Sequence, residues 1–208
     1  MSTYQELKGL KIKYLDGDTS GDRLTEGEIF YNSTSFQLKA PIATAAFSSG
    51  GNLGTARYTL AGGGTQTAGL AFGGDILPGP SALTEEYNGT GWVAGGELNT
   101  ARRSLFGCGT QTAGLAAGGN PNPSTTANSE EYDGSSWTEG NNLGTARRNM
   151  AAAGSQTAAV AVGGQNPPGE VANVEEYNGT SWSEVTDIPS ADASSSGLGT
   201  QVNAVIAG

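Results

Sequence analysis

The chain has 208 residues with 34 Gly, 8 Pro, no His and one Cys, a composition that excludes His-based catalysis, Cys or His metal clusters and internal disulfides. Gly and Pro together stay below the roughly 25–30% that is typical of aperiodic disordered chains, so an ordered fold is expected. The net charge of −10 argues against nucleic-acid binding, and no apolar run approaches the ~18 residues of a membrane span, so no membrane insertion is expected.

The first predicted elements lie in segment 1–46, which contains all four lysines of the chain. Apolar and polar residues alternate around Leu10, Ile12 and Tyr14, a pattern that predicts an extended strand or a short docking arm. Residues 26–39 predict a β-hairpin with its turn at 32–35. The change in composition near 40–46 predicts a boundary between this segment and the rest of the chain.

The sequence of the predicted hairpin resembles a phrase found in a known class of proteins. Residues 26–39, Gly-Glu-Ile-Phe-Tyr-Asn-Ser-Thr and their neighbours, resemble a short phrase in structural proteins of tailed bacteriophages, especially marine ones, where it precedes repetitive adhesive domains. The resemblance implies that 1–46 attaches a fibre or appendage to the virion. The alternative is that 1–46 is only a tail with a hairpin that closes the following domain.

A repeat of 45 residues occupies the chain from residue 47 onward. Its units are 47–91, 92–136, 137–181 and an incomplete 182–208. The same landmarks recur in register, and we expect them to be structural repeat residues. They are Trp92, Trp137 and Trp182; Tyr87, Tyr132 and Tyr177; Gly73, Gly74, Gly118, Gly119, Gly163 and Gly164; and Arg57, Arg102 and Arg147.

Each unit predicts four short strands and no helix. Asn-Gly or Asp-Gly pairs before each Trp supply the positive φ angles of a two-residue hairpin turn. Residues two apart in the second strand are only Ala or Gly, as at Gly69 and Ala71, so this strand is predicted to be the thin, innermost one. The first four strands are predicted at 58–61, at 68–72, at 81–87 and from Trp92, the first residue of the second unit, onward.

This combined pattern resembles the kelch motif. An apolar strand closed by Gly-Gly leads to Glu-Glu-Tyr, then to Trp, then to Leu-x-Thr-Ala-Arg, and each of these elements occurs in three copies. Kelch repeats form the four-stranded blades of a β-propeller. The resemblance therefore implies an all-β fold of about three and a half kelch-like β-propeller blades, preceded by a short β-hairpin attachment segment. The Gly-His and Trp-Asp signatures of the WD repeat are missing.

The fourth unit stops at Gly208, after the first Gly of its Gly-Gly pair. Two alternatives follow from this. Segment 1–46 supplies the missing outer strands, since Tyr31–Phe36 is similar to Tyr177–Trp182, or the domain is completed by a longer chain or by oligomerisation.

The other recurring polar residues predict structural roles. Adjacent glutamates such as Glu130 and Glu131 point to opposite faces of a strand and cannot converge on one substrate atom. The repeated Arg residues either bond loop carbonyls or the Glu of the next unit, or they form a ring that binds an anion or a glycan carboxylate. Cys108 is predicted to be a buried filler. No catalytic residue, metal or cofactor is expected, and the galactose-oxidase type of kelch enzyme requires the absent His.

These patterns favour a phage virion structural protein, a tail-fibre or appendage component that mediates assembly and host-surface adhesion. The expected partners are other virion proteins, further copies of the chain, and a host surface glycan or protein contacted by the variable loops 75–84, 120–129 and 165–174. The alternative is a non-virion, cytoplasmic kelch-type protein-interaction adaptor. An enzyme is not expected.

Overall fold

The structure is a computed structural model that describes residues 50–208 with their side chains and, before them, only the backbones of five short strands. The chain divides into an N-terminal part, Met1–Ser49, and a C-terminal part, Gly50–Gly208. The strands of the N-terminal part are β1 (Glu6–Leu7), β2 (Leu10–Lys11), β3 (Lys13–Leu15), β4 (Phe30–Asn32) and β5 (Gln37–Lys39). Strand β3 pairs parallel to β4, and β4 pairs antiparallel to β5.

The predicted hairpin in 26–39 is thus present as β4 and β5. Its tip at 33–36 and the predicted boundary at 40–46 lie outside the described residues. Both edges of β4 are used, since β3 lies on one side and β5 on the other.

Three four-stranded antiparallel sheets and a two-stranded terminal hairpin form the C-terminal part, Gly50–Gly208. The sheets follow one another every 45 residues, and the fourth strand of each begins with the Trp that opens the next repeat. The first sheet consists of β6 (Ala61–Thr65), β7 (Ala68–Phe72), β10 (Thr84–Tyr87) and β11 (Trp92–Ala94). The second consists of β12 (Phe106–Thr110), β13 (Ala113–Ala117), β14 (Ser129–Tyr132) and β15 (Trp137–Glu139). The third consists of β16 (Ala151–Ser155), β17 (Ala158–Val162), β20 (Val174–Tyr177) and β21 (Trp182–Glu184). The terminal hairpin consists of β22 (Ser196–Thr200) and β23 (Asn203–Ala207).

Two of the variable loops contain a small hairpin of their own. In the first loop it is β8 (Asp75–Ile76) with β9 (Gly79–Pro80), and in the third it is β18 (Gln165–Asn166) with β19 (Gly169–Glu170). The described residues contain no helix, and so none that is long and apolar enough to cross a membrane. The predicted all-β class and the four-stranded repeat are confirmed.

The predicted start of the first strand was wrong by three residues in the first unit and by two in the next two. The first sheet begins at Ala61 rather than at Tyr58, because Thr59 has a φ of 51°, which a ladder strand does not adopt. Ser104, Asn149 and Ser194 occupy the same repeat position and also have positive φ angles. The feature is therefore a regular break before every first strand.

These left-handed residues also link one sheet to the next. The amide of Ser104 donates to the carbonyl of Thr59, that of Asn149 to Ser104, and that of Ser194 to Asn149, each at 2.9 Å. The sheets approach one another most closely here, through their first strands β6, β12, β16 and β22 in series. The sequence predicts the thin, innermost strand at the second position, whereas the closest approach between successive sheets is through the first strands. β22 and β6, the two ends of the series, do not pack against each other in this way.

Each sheet has two unlike faces, because alternate side chains of a strand point to opposite sides. In the first sheet the small face contains Gly69 and Ala71, whereas the large face contains Leu70 and Phe72. Successive sheets pack large face to small face: a Cβ on Gly114 would lie 2.7 Å from Leu70 Cδ2. The small faces of the three sheets are Gly69/Ala71, Gly114/Ala116 and Ala159/Ala161, and the large faces are Leu70/Phe72, Leu115/Ala117 and Val160/Val162. In the terminal hairpin the corresponding pairs are Ala204/Ile206 and Val205/Ala207.

Candidate functional site

The antiparallel order gives the sheets two different ends. At one end, called the turn end, lie the two-residue turns after β6 and β10 and their equivalents. At the other, called the loop end, lie the variable loops and the segments that connect one sheet to the next. Asn88, Asp133 and Asn178 fix the outer turns by accepting backbone hydrogen bonds from the residues two and three positions on. The turn end is uniform, and the loop end is where the repeats differ.

The Gly-Gly pairs hold the bases of the variable loops. Gly73 and Gly74 have φ angles of 65° and 98°, and a Cβ on Gly73 would lie 2.7 Å from the carbonyl oxygen of Arg102. Gly73 donates to the carbonyl of Leu83 across the loop base, and Gly74 accepts from Ser81. Glycine is therefore required at this position. Gly118 and Gly119, and Gly163 and Gly164, repeat the same angles and hydrogen bonds.

Each loop presents different chemistry on this common base. In the first loop Leu77 is 87% exposed. The corresponding residue is Asn122 in the second loop and Pro167 in the third, and both are exposed. A rigid base with different exposed residues on each copy is typical of a recognition surface. The candidate recognition surface is the loop end formed by 75–84, 120–129 and 165–174.

A buried ion pair lies in every sheet below these loops. Arg57 pairs with Glu85 at 3.1 Å, Arg102 with Glu130 at 3.1 Å and Arg147 with Glu175 at 2.5 Å, and all three guanidinium groups are fully buried. The partner Glu belongs to the same unit and not to the next one. The expected bonds to loop carbonyls are present, for example from Arg57 to Leu83. A ring of Arg available to an external anion is not formed.

Burial dominates the electrostatics of these pairs. It lowers the pKa of Arg57, Arg102 and Arg147, and the facing glutamates partly oppose that shift. Glu130 also accepts from the amides of Asn99 at 2.6 Å and Thr100 at 3.3 Å. The pair thereby ties the connecting segment to the middle of the sheet, which is a structural role.

The second Glu of the first two Glu-Glu pairs accepts a hydrogen bond from the following sheet. The hydroxyl of Tyr132 donates to Glu86 Oε1 and that of Tyr177 to Glu131 Oε1, both at 2.5 Å. Burial together with the Glu86 carboxylate raises the pKa of Tyr132 to about 12, and the pKa of Tyr177 is also raised. Neighbouring glutamates thus serve opposite faces, as the strand geometry predicts.

The repeated Trp residues join the same interfaces. The indole of Trp137 donates to Thr84 Oγ1 of the preceding sheet and that of Trp182 to Ser129 Oγ, both at 2.9 Å. Trp92 donates instead to the carbonyl of Gly51. Trp137 also packs on Phe72, with ring centroids 4.7 Å apart.

The sequence reading missed the role of one repeated residue. Gln111, Gln156 and Gln201 each reach from a first hairpin to two carbonyls of the preceding sheet, and Gln111 bonds those of Gly69 and Tyr87 at 3.2 and 2.9 Å. The signal was available, because Gln recurs at intervals of 45 residues, but a two-residue turn offers no reason for Gln. We call this contact the glutamine clamp.

No cluster of three or more possible metal-ligating side chains occurs among the residues that the structure describes. Cys108 is buried, and burial raises the pKa of its thiol to about 12, so it packs as a small side chain. The prediction that the protein is not an enzyme stays a prediction. No protein-family model and no curated protein sequence matches this chain.

Proposed function

We propose that this chain is a structural protein of a bacteriophage virion, a tail-fibre or appendage component that assembles with other virion proteins and contacts the host surface. The proposal rests on the phage-like phrase in 26–39 and on the kelch-like repeats that follow it. The observation that carries the adhesive role is the contrast between the uniform turn end and the varied loop end.

We further propose that the sheets are blades of a kelch-like β-propeller. Three contacts that recur between successive sheets support this arrangement: the backbone hydrogen bond between the left-handed residues, the glutamine clamp and the packing of large face on small face. The first strands lie nearest to one another, as the inner strands of propeller blades do. The Trp residues occupy the opposite side of each sheet, on its fourth strand.

The host-facing surface in this proposal is the loop end. Its exposed residues include Pro, Asn and Ser in the second loop and Pro and Glu in the third, which suit polar contacts to a surface glycan or protein. The buried Arg–Glu pairs and the Gly-Gly bases are the same in each sheet, whereas the sequences of the loops differ. Segment 1–46 is the attachment to the particle.

Purified particles provide the test. Quantitative mass spectrometry of particles banded twice in a density gradient should detect the chain in a fixed ratio to the major tail protein. A cytosolic host protein of similar abundance in the lysate is the control for carry-over. Presence only in the soluble lysate would overturn the virion role and favour a kelch-type interaction adaptor in the cytoplasm.

A further inference from the structure

The two ends of the sheet series carry matching, unused halves of one interface. The same three contacts occur between successive sheets each time. The later sheet donates the backbone and Gln hydrogen bonds and presents its small face, whereas the earlier sheet accepts these bonds and presents its large face. The first sheet exposes its donor side, and the terminal hairpin exposes its acceptor side. This complementarity goes beyond the proposed virion role and does not depend on it.

The terminal hairpin exposes what the other sheets bury. Val205 occupies the position of Leu70, Leu115 and Val160, which are all buried, yet Val205 is 58% exposed. Leu198 is 68% exposed, whereas Cys108 and Ala153 at the same repeat position are buried. Both residues lie on one face, because Leu198 and Val205 are register partners in the hairpin. This large face is apolar and without a covering sheet among the described residues.

The same end presents the backbone groups that a following sheet would use. Ser194 is exposed, and its carbonyl holds the position from which Thr59, Ser104 and Asn149 each accept an amide of the next sheet. The carbonyl of Ala204 corresponds to those of Gly69, Gly114 and Ala159, the acceptors of the glutamine clamps. The terminal hairpin thus offers two acceptors beside an apolar face.

The first sheet presents the donor side of the same set of contacts. Thr59 and Gln66 are exposed, whereas their equivalents in the next two units are partly buried against the preceding sheet. Gly62 is exposed too, and its equivalent Gly107 lies under Phe72 and Ala61 of the preceding sheet. β6 reads Ala-Gly-Gly-Gly-Thr, the thinnest first strand of the four. It therefore leaves room for Leu198, which is larger than its equivalents Gly63, Cys108 and Ala153.

We propose that the terminal hairpin of one copy docks on the first sheet of a second copy, head to tail, repeating the contacts made between sheets within the chain. Leu198 and Val205 cover the Gly62 region, the Thr59 amide donates to the Ser194 carbonyl of the other copy, and Gln66 clamps its Ala204 carbonyl. Unlike surfaces meet in this contact, so each copy keeps one half free for a further copy until a ring closes.

Sedimentation of the full chain and of charge variants tests the proposal. The wild type should associate in a concentration-dependent manner. Val205→Glu and Gly62→Glu should each weaken association more than about a hundredfold, because each places an unpaired charge in the contact. Val202→Glu is the matched control, since Val202 is 82% exposed in the turn of the same hairpin and should leave association unchanged.

Mixing the two variants separates this arrangement from the others. An equimolar mixture of Val205→Glu and Gly62→Glu chains should form heterodimers, because one intact interface remains between them. A two-fold contact between terminal hairpins would leave Gly62→Glu fully associated and would overturn the proposal. A wild type that stays monomeric at every concentration would also overturn it, whether the face is covered within the chain or stays bare.

A gentler variant covers the case in which Gly62→Glu fails to fold, as judged by its circular dichroism. Gln66→Ala removes only an exposed amide in a turn and should weaken association by about tenfold through loss of the clamp. Association of Gln66→Ala equal to that of the wild type would contradict the predicted register of docking.

Discussion

Removing the carboxylate of Glu130 is the substitution whose cost follows most directly from the structure. Both members of the Arg102–Glu130 pair are fully buried, so Glu130→Ala leaves a guanidinium without its counter-charge. Breaking a buried pair in this way costs about 3–5 kcal/mol. The amides of Asn99 and Thr100 lose their acceptor as well. The expected change is large for a single substitution.

The assay is thermal unfolding followed by circular dichroism, with urea unfolding as the second measure. For a domain of 150–250 residues each kcal/mol lowers Tm by about 2–4 °C, so Glu130→Ala should lower Tm by about 6–20 °C. Glu170→Ala is the control, because Glu170 is an exposed residue of β19 in the third loop and should change stability by less than about 0.5 kcal/mol. Equal melting of the two variants would refute the structural role of the pair.

A double variant then separates charge from packing. Arg102→Met with Glu130→Gln removes both charges and keeps an oxygen that accepts from Asn99. Replacing both members of a buried pair is often close to neutral, so the double variant should be more stable than Glu130→Ala. A double variant that is less stable than Glu130→Ala would show that the ion pair itself is the main source of stability.

Three further predictions concern the contacts between sheets. Trp137→Ala should cost about 3–5 kcal/mol in urea unfolding, since the indole is buried on Phe72; no loss of stability would contradict its place between sheets. Ala116→Leu should cost about 1–3 kcal/mol by overpacking the fully buried small face, whereas Leu at the exposed Ala94 should be neutral in the same measurement. Raising the pH from about 10 to about 12 should lower stability, because the unfolded chain releases the Tyr132 proton near pH 10 while the folded pKa is about 12; Tyr132→Phe should reduce this loss in urea midpoints measured against pH, and an unchanged loss would refute the assignment.

Much of the structure of residues 50–208 could be predicted because each weak sequence signal recurs in every repeat. A single Gly-Gly or Asn-Gly pair predicts little, but three in-register copies place strands, turns and loop bases together. The buried, structural nature of the Arg and Glu residues was also predictable, since a glutamate pair on a strand cannot act on one site. Each sheet has the predicted four strands, but the first strand lies later than predicted, at Ala61–Thr65 in the first sheet, and the third begins at Thr84 rather than at Ser81.

The features that the sequence does not predict all depend on contacts between separate elements. Thr59 has no sequence signal for a positive φ, because Thr, Ser and Asn at this position favour different backbone conformations, and contacts with the next sheet determine it. The glutamine clamp and the choice of Glu partner depend in the same way on the distance between elements. Periodicity fixes what recurs, whereas the partner of a recurring side chain is a matter of three-dimensional packing.

The central claim is that the loop end recognises a host surface while the turn end does not. Binding of the labelled protein to host cells should be measured for a variant in which the first and third loops take the sequence of the second, which keeps the Gly-Gly bases and the loop length. The matched control is Thr90→Lys at the turn end, where Thr90 is exposed. If the loop end recognises the host surface, the loop variant should lose binding and Thr90→Lys should retain it. Full binding by the loop variant would contradict the claim.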